Sequence, residues 1–141
     1  ILGTRVDEIH PLRAGVTRGS GTLRLDNSPG SLARLCQTLA DEKVNIVALN
    51  LEASGVVHLV PDNPLHAAGL LRGSDYAVEE REVLFLQLPN APGAAGVATR
   101  QLTAAGVNID YAFASVLSGQ EMALLVVAVD DARRASAAAG M

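Results

Sequence analysis

Aromatic residues are nearly missing from this chain: its 141 residues include no Trp, two Tyr and two Phe. A surface that stacks nucleobases needs such rings, and one that tracks a phosphate backbone needs an excess of cations. Lys and Arg number 11 against 15 Asp and Glu, for a formal charge of −4, so nucleic acid is not an expected partner. A single cysteine, Cys36, excludes an intrachain disulfide and a cysteine-based zinc site, and it points to a reducing, cytoplasmic compartment. Long apolar runs are also lacking. A stretch such as Met122 to Val129 falls far short of the roughly 20 residues that span a bilayer, so no membrane partner is expected. Residues 1–20 carry Arg5, Arg13 and Arg18 but no apolar block of the signal-peptide kind. His10, His58 and His66 show no metal-ligand spacing, so neither a metal nor another cofactor is expected.

What is present is a core-forming composition, 49% hydrophobic and 18% charged, which excludes wholesale disorder. It is arranged as a repeat. Asn27-Ser28-Pro29-Gly30 returns as Asn90-Ala91-Pro92-Gly93, and Val44-Asn45-Ile46 returns as Val107-Asn108-Ile109. Both lie at an offset of 63, as do Leu39 and Leu102, giving seven identities across positions 27 to 46. Two separate motifs held at one offset indicate a duplicated unit.

Each copy reads as strand, helix, strand, strand, helix, with a further strand closing the first. Thr22 to Asp26 alternates like a strand. A helix follows, with Ser28 as its expected N-cap and Pro29 in its first turn. Its apolar stripe is Leu32, Leu35, Cys36 and Leu39. Strands are expected at Asn45 to Ala53 and Val56 to Val60, a helix at Asn63 to Arg72 and a fourth strand at Tyr76 to Glu80. Glu79-Glu80-Arg81-Glu82 reads as a solvated connector. The second copy has a strand at Val83 to Leu88, a helix from Gly93 to Ala105 ended by Gly106, a hairpin of Ile109 to Val116 with Glu121 to Val129, and a helix at Asp130 to Ala139. It offers no fourth strand unless Gly3 to Ile9 returns to fill that edge. The expected fold is therefore α+β: two tandem ferredoxin-like βαββαβ units, antiparallel sheets with helices on one face. The expected boundaries are an N-terminal extension at 1–20, a first domain at 21–80 and a second at 81–141.

Asp26-Asn27-Ser28-Pro29-Gly30-Ser31-Leu32, then Leu39 and Val44-Asn45-Ile46, closely resembles the signature of the ACT domain, and Asn90 to Ile109 matches it again. The overall shape is similar to the small stand-alone proteins made of two ACT domains. The resemblance implies a non-catalytic regulatory protein that binds an amino acid between ACT units. Its implied ligand residues are Asp26, Asn27, Ser28, Pro29, Gly30, Ser31, Leu32, Asn45 and Ile46, with Asn90, Gly93, Asn108 and Ile109 from the second copy. The location is chemically reasonable. A helix start offers unpaired N–H groups to a carboxylate, glycine allows close backbone approach, and an acid such as Asp26 suits an α-ammonium. The alternative is an ACT-like regulatory subunit or adaptor that controls a biosynthetic enzyme and binds no ligand itself. Ferredoxin-like sheets also carry enzymes, so the fold alone does not decide.

The two loops differ in chemistry. Asp26, Ser28 and Ser31 become Pro89, Ala91 and Ala94, so one principal site per chain is expected, on Asp26 to Leu32 and completed by Asn108 or Asn45 from an adjacent unit. In the second copy Val83, Phe85, Ile109, Tyr111 and Phe113 form an apolar face opposite the helices, which predicts burial against another sheet in a homodimer.

Overall fold

The computed structural model describes residues 16–115 and 119–140, which contain six strands and four helices. In chain order these are β1 (Val16–Arg24), α1 (Ser31–Asp41), β2 (Ile46–Leu51), β3 (Val56–Pro61), α2 (Pro64–Gly73), β4 (Glu79–Pro89), α3 (Ala94–Ala104), β5 (Ile109–Ser115), β6 (Met122–Val129) and α4 (Ala132–Gly140). The described residues divide into two compact units, residues 19–81 and residues 82 onward, the latter grouped with residues 16–18. Each follows the ferredoxin-like plan. The expected return of Gly3 to Ile9 lies outside the described residues.

In the first unit β3 is flanked by β1 and β2, both antiparallel to it, with Leu23 opposite Val57 and Leu49 opposite Leu59. Strand alternation sends Leu23, Val57 and Leu59 to one face, where Leu35 and Leu39 of α1 and Ala67 and Leu71 of α2 bury them. Leu32 packs at the margin of this core, whereas Cys36 is half-buried and outside it. The expected stripe is thus narrower by one residue.

β1 begins earlier than its alternation suggested and takes in Gly19-Ser20-Gly21. These residues have weak strand propensity, but there is no free room for a side chain above Gly19 and little above Gly21. A Cβ on Gly19 would stand 2.9 Å from the Pro64 side chain, and one on Gly21 would stand 3.1 Å from Val78 Cγ1. Asn63 caps α2 by accepting from the His66 N–H at 3.2 Å, with Pro64 at the first helical position.

The expected break between Tyr76–Glu80 and Val83–Leu88 does not exist. β4 is one strand of 11 residues, and the connector Glu79 to Glu82 lies inside it. No Gly or Pro stands between Ser74 and Leu88 to reverse the chain. The charges are accommodated at its exposed start, where Glu80 pairs with Arg72 at 2.9 Å.

In the second unit β6 lies between β4 and β5, both antiparallel to it. Leu84 and Leu86 join Val127 and Val129 under Ala98, Leu102 and Ala135. Ile109 also packs on this helix-side core, contrary to its expected place beside Tyr111 and Phe113. The cause is a bulge: Ile109 faces Val129 but Tyr111 faces Ala128, so Asp110 is extra and the alternation changes phase. β2 has the same irregularity between Ile46 and Ala48, 63 residues earlier. On the other face Val83, Phe85, Leu124, Val126 and Ala128 are buried within the chain, and the Arg18 guanidinium lies 5.9 Å from the Phe85 ring centre. Tyr111 and Phe113 are the half-buried remainder, their rings stacked 6.4 Å apart.

Candidate functional site

The repeated Asn-x-Pro-Gly segments fold identically in outline. Ser31 N–H donates to the Ser28 carbonyl at 3.3 Å, and Ala94 N–H to the Ala91 carbonyl at 3.3 Å. Gly30 takes φ 87° and ψ −6°, and Gly93 takes φ 87° and ψ −10°. These are the features of a type II turn, with Pro at its second position and Gly at its third. The glycine is also the helix N-cap, in place of the expected Ser28. Pro-Gly fits a turn before the helix better than proline in the helix's first turn, and Ser28 Oγ is left to bond Ser31 Oγ at 2.9 Å. No side chain caps either α1 or α3.

Around the first turn Asp26, Asn27, Ser28, Pro29 and Gly30 are exposed, Ser31 is buried and Leu32 is half-buried. The turn is braced from below. Leu25 N–H donates to the Gly55 carbonyl at 2.7 Å, and Gly55 sits at φ 94°, where a Cβ would stand 2.5 Å from the Leu25 carbonyl oxygen. The hairpin carrying Gly55 is tied in turn to the sheet. Arg24 donates to the Ser54 carbonyl at 2.8 Å, and Glu52 meets His58 Nε2 at 2.9 Å. His58 is buried, and its Nδ1 lies 3.2 Å from Thr22 Oγ1.

The second turn is built from the same backbone but its amide is already engaged. Asn90 Nδ2 donates to the Gln120 carbonyl at 2.9 Å and its N–H to the Glu121 carbonyl at 2.7 Å. Asn27 makes no corresponding side-chain bond among the described residues. Pro89, Ala91 and Gly93 are exposed.

The asparagines opening β2 and β5 stand elsewhere. α1 is 11 residues long, about 16 Å at the helical rise, and it separates the turn at Asp26–Leu32 from Asn45 and Ile46 at the other end of the same unit. Asn90 and Gly93 are likewise separated from Asn108 and Ile109 by α3. No single unit therefore brings the two motifs together. The backbone at each of these positions has a visible structural role. Asn45 N–H donates to Asp62 Oδ1 at 3.1 Å, and Asn108 N–H to Asp130 Oδ1 at 3.1 Å. Asp62 and Asp130 return their own N–H groups to the Asn45 and Asn108 carbonyls, at 2.9 and 3.2 Å. These two acids and the Glu52–His58–Thr22 chain are not evident from the sequence. Gly55 was readable as a turn residue, but the pairing of Asn45 with Asp62 needs the fold.

Among the described residues no group of His, Cys, Asp and Glu is arranged to hold a metal ion, and no helix is long and apolar enough to cross a membrane.

Similarity to known proteins agrees with this duplicated plan. Protein BT0572 from Bacteroides thetaiotaomicron superposes with a TM-score of 0.78 at 24% identity, over 89% of this chain and 87% of that one. The ligand-free regulatory subunit of aspartate kinase from Thermus thermophilus gives 0.60 at 15% identity, over 91% and 89%. Aspartokinase III of E. coli, in complex with lysine and aspartate, gives 0.56 at 20% identity over 89% of this chain but only 30% of the enzyme. A comparison with curated proteins finds no match. A family model described as an ACT domain pair matches residues 19–139, and with both glycine turns and both bulges repeated at one offset, the chain belongs to that family.

Proposed function

We propose that this protein is a non-catalytic regulatory sensor that binds a free amino acid at the turn Asp26–Leu32. One observation carries the reading: of two turns with the same backbone, only the first exposes a carboxylate, an amide and a hydroxyl around an uncapped helix start. A zwitterion needs acceptors for its ammonium and donors for its carboxylate, and leaving either buried and unpaired costs about 1–3 kcal/mol or more. The second turn presents proline and alanine and has its asparagine bound to the neighbouring hairpin. Support for the ligand class comes from the family and from the lysine and aspartate held by the E. coli aspartokinase III complex.

A thermal-shift series of the full chain against each of the twenty L-amino acids tests this. An amino acid at 100-fold over its dissociation constant adds about 2.7 kcal/mol of stability, so at least one raises the melting temperature. The second reading, a regulatory subunit that controls a biosynthetic enzyme without its own ligand, is favoured by the similarity in extent to the Thermus thermophilus regulatory subunit. It predicts no shift with any amino acid, together with co-purification of such an enzyme.

A further inference from the structure

We infer that the free edge of β2 is a self-association surface, on which β2 of a second copy of this chain pairs antiparallel about a two-fold axis at Asn50. The inference does not depend on the proposed ligand.

β2 stands at the end of the strand order, and among the described residues it is paired to β3 alone. Edge strands are ordinarily guarded by charges, proline or a bulge. The six residues of β2, Ile46-Val47-Ala48-Leu49-Asn50-Leu51, contain no charge, proline or glycine. Its bulge lies at the start, between Ile46 and Ala48, and leaves Ala48 to Leu51 regular. The hairpin fixes which main-chain groups are free. Glu52 N–H donates to the Val56 carbonyl at 2.9 Å. From there Leu51 stands opposite Val57, Asn50 opposite His58 and Leu49 opposite Leu59. Antiparallel bonding alternates, so Asn50 and Ala48 bond inward to β3. The N–H and C=O groups of Leu49 and Leu51 therefore point away from the sheet.

Leu49-Asn50-Leu51 reads the same in both directions, which suits an isologous contact. With the axis at Asn50, Leu49 of each copy faces Leu51 of the other, and every outward N–H of these leucines meets a carbonyl. Leu51 is 43% exposed, and the pairing packs it against Leu49 of the second copy. The two Asn50 side chains meet across the axis. Asn50 is half-buried and its amide makes no hydrogen bond among the described residues, while a primary amide can both donate and accept. Glu52 of each copy faces Ala48 of the other, so no like charges are opposed. An axis at Leu49 would set Leu51 against the bulged Val47, and one at Leu51 would set Leu49 against Ala53 in the turn. At the matching positions β5 carries Ala112, Phe113 and Ala114, so its edge has no leucine to bury.

Oxidative cross-linking and sedimentation of the full chain test the assignment. Facing residues at a non-hydrogen-bonded antiparallel position have Cα atoms about 4.5 Å apart, within reach of a disulfide. With Cys36→Ser in both, Asn50→Cys is expected to form a covalent dimer on mild oxidation, whereas Ala48→Cys, which faces Glu52, does not. Wild type is expected to sediment as a dimer, and Leu51→Lys as a monomer with unchanged circular dichroism. A monomeric wild type, a dimeric Leu51→Lys protein, no cross-link through Asn50→Cys, or equal cross-linking of the two cysteine variants overturns the inference. So does a dimer that Phe113→Asp dissolves and Leu51→Lys does not.

Discussion

At the scale of single residues, glycine conformations define the candidate site. Gly30 and Gly93 lie in the left-handed region that side chains enter at a cost of roughly 1–2 kcal/mol. Gly55 combines that conformation with a backbone contact. Gly55→Ala would place a methyl 2.5 Å from the Leu25 carbonyl, so it is expected to cost about 2–4 kcal/mol, whereas Gly93→Ala, with nothing within 4 Å, costs only the conformational part. Urea unfolding of the two variants checks the difference, and equal losses would remove the bracing role given to Gly55. The Pro-Gly signals were legible because proline and glycine restrict the backbone locally. Gly19 and Gly21 were not, because the reason for them is the approach of Pro64 and Val78, some forty to sixty residues away in sequence.

At the scale of elements, the duplication preserves backbone devices and lets packing drift. Each copy ends its first helix with a left-handed residue, Lys43 at φ 60° and Gly106 at φ 73°. In each, the next residue returns its N–H to the helix: Val44 to the Leu39 carbonyl at 2.9 Å and Val107 to the Leu102 carbonyl at 3.2 Å. The helices above the sheets differ. Leu35 is fully buried in the first unit, and its counterpart Ala98 is 4% exposed in the second, so the second core has closed around a smaller side chain. Ala98→Leu restores the residue of the first copy but is expected to destabilise by about 1–3 kcal/mol through overpacking, measured by denaturant unfolding. A neutral or stabilising result would show that the second core holds unused space. Helices and strands with a steady period were readable from the sequence. The bulges at Val47 and Asp110 were not, because one extra residue changes the facing of Ile109 without leaving a mark in composition. β4 was read as two pieces because the repeat suggested a boundary there, while nothing in Glu79 to Leu88 breaks a strand.

At the scale of the molecule, the duplicated ACT fold repeats its backbone in both copies while the side chains of the two turns differ, and the proposed function assigns the ligand to the first. The family and the unit plan follow from the repeated motifs. The sequence already sets Pro89, Ala91 and Ala94 against Asp26, Ser28 and Ser31; the fold adds that Asn90 is bonded to the Gln120 carbonyl, whereas Asn27 makes no such bond among the described residues. Assembly belongs to this scale too. With most of the helix-free face of the second unit already buried, the apolar surface offered to a second copy is Tyr111 and Phe113 on β5. If that surface holds a homodimer, sedimentation of wild type gives a dimer and Phe113→Asp gives a monomer with unchanged helical content. A monomeric wild type contradicts assembly there.

The central claim is one amino-acid site per chain on the first turn. Isothermal titration of wild type, Asp26→Ala and Asn90→Ala with the amino acid that stabilises the chain tests it most directly. The account predicts one site per chain, at least a tenfold loss of affinity in Asp26→Ala, about 1.4 kcal/mol, and a smaller effect in Asn90→Ala. Two equal sites per chain, or unchanged affinity in Asp26→Ala, would contradict it.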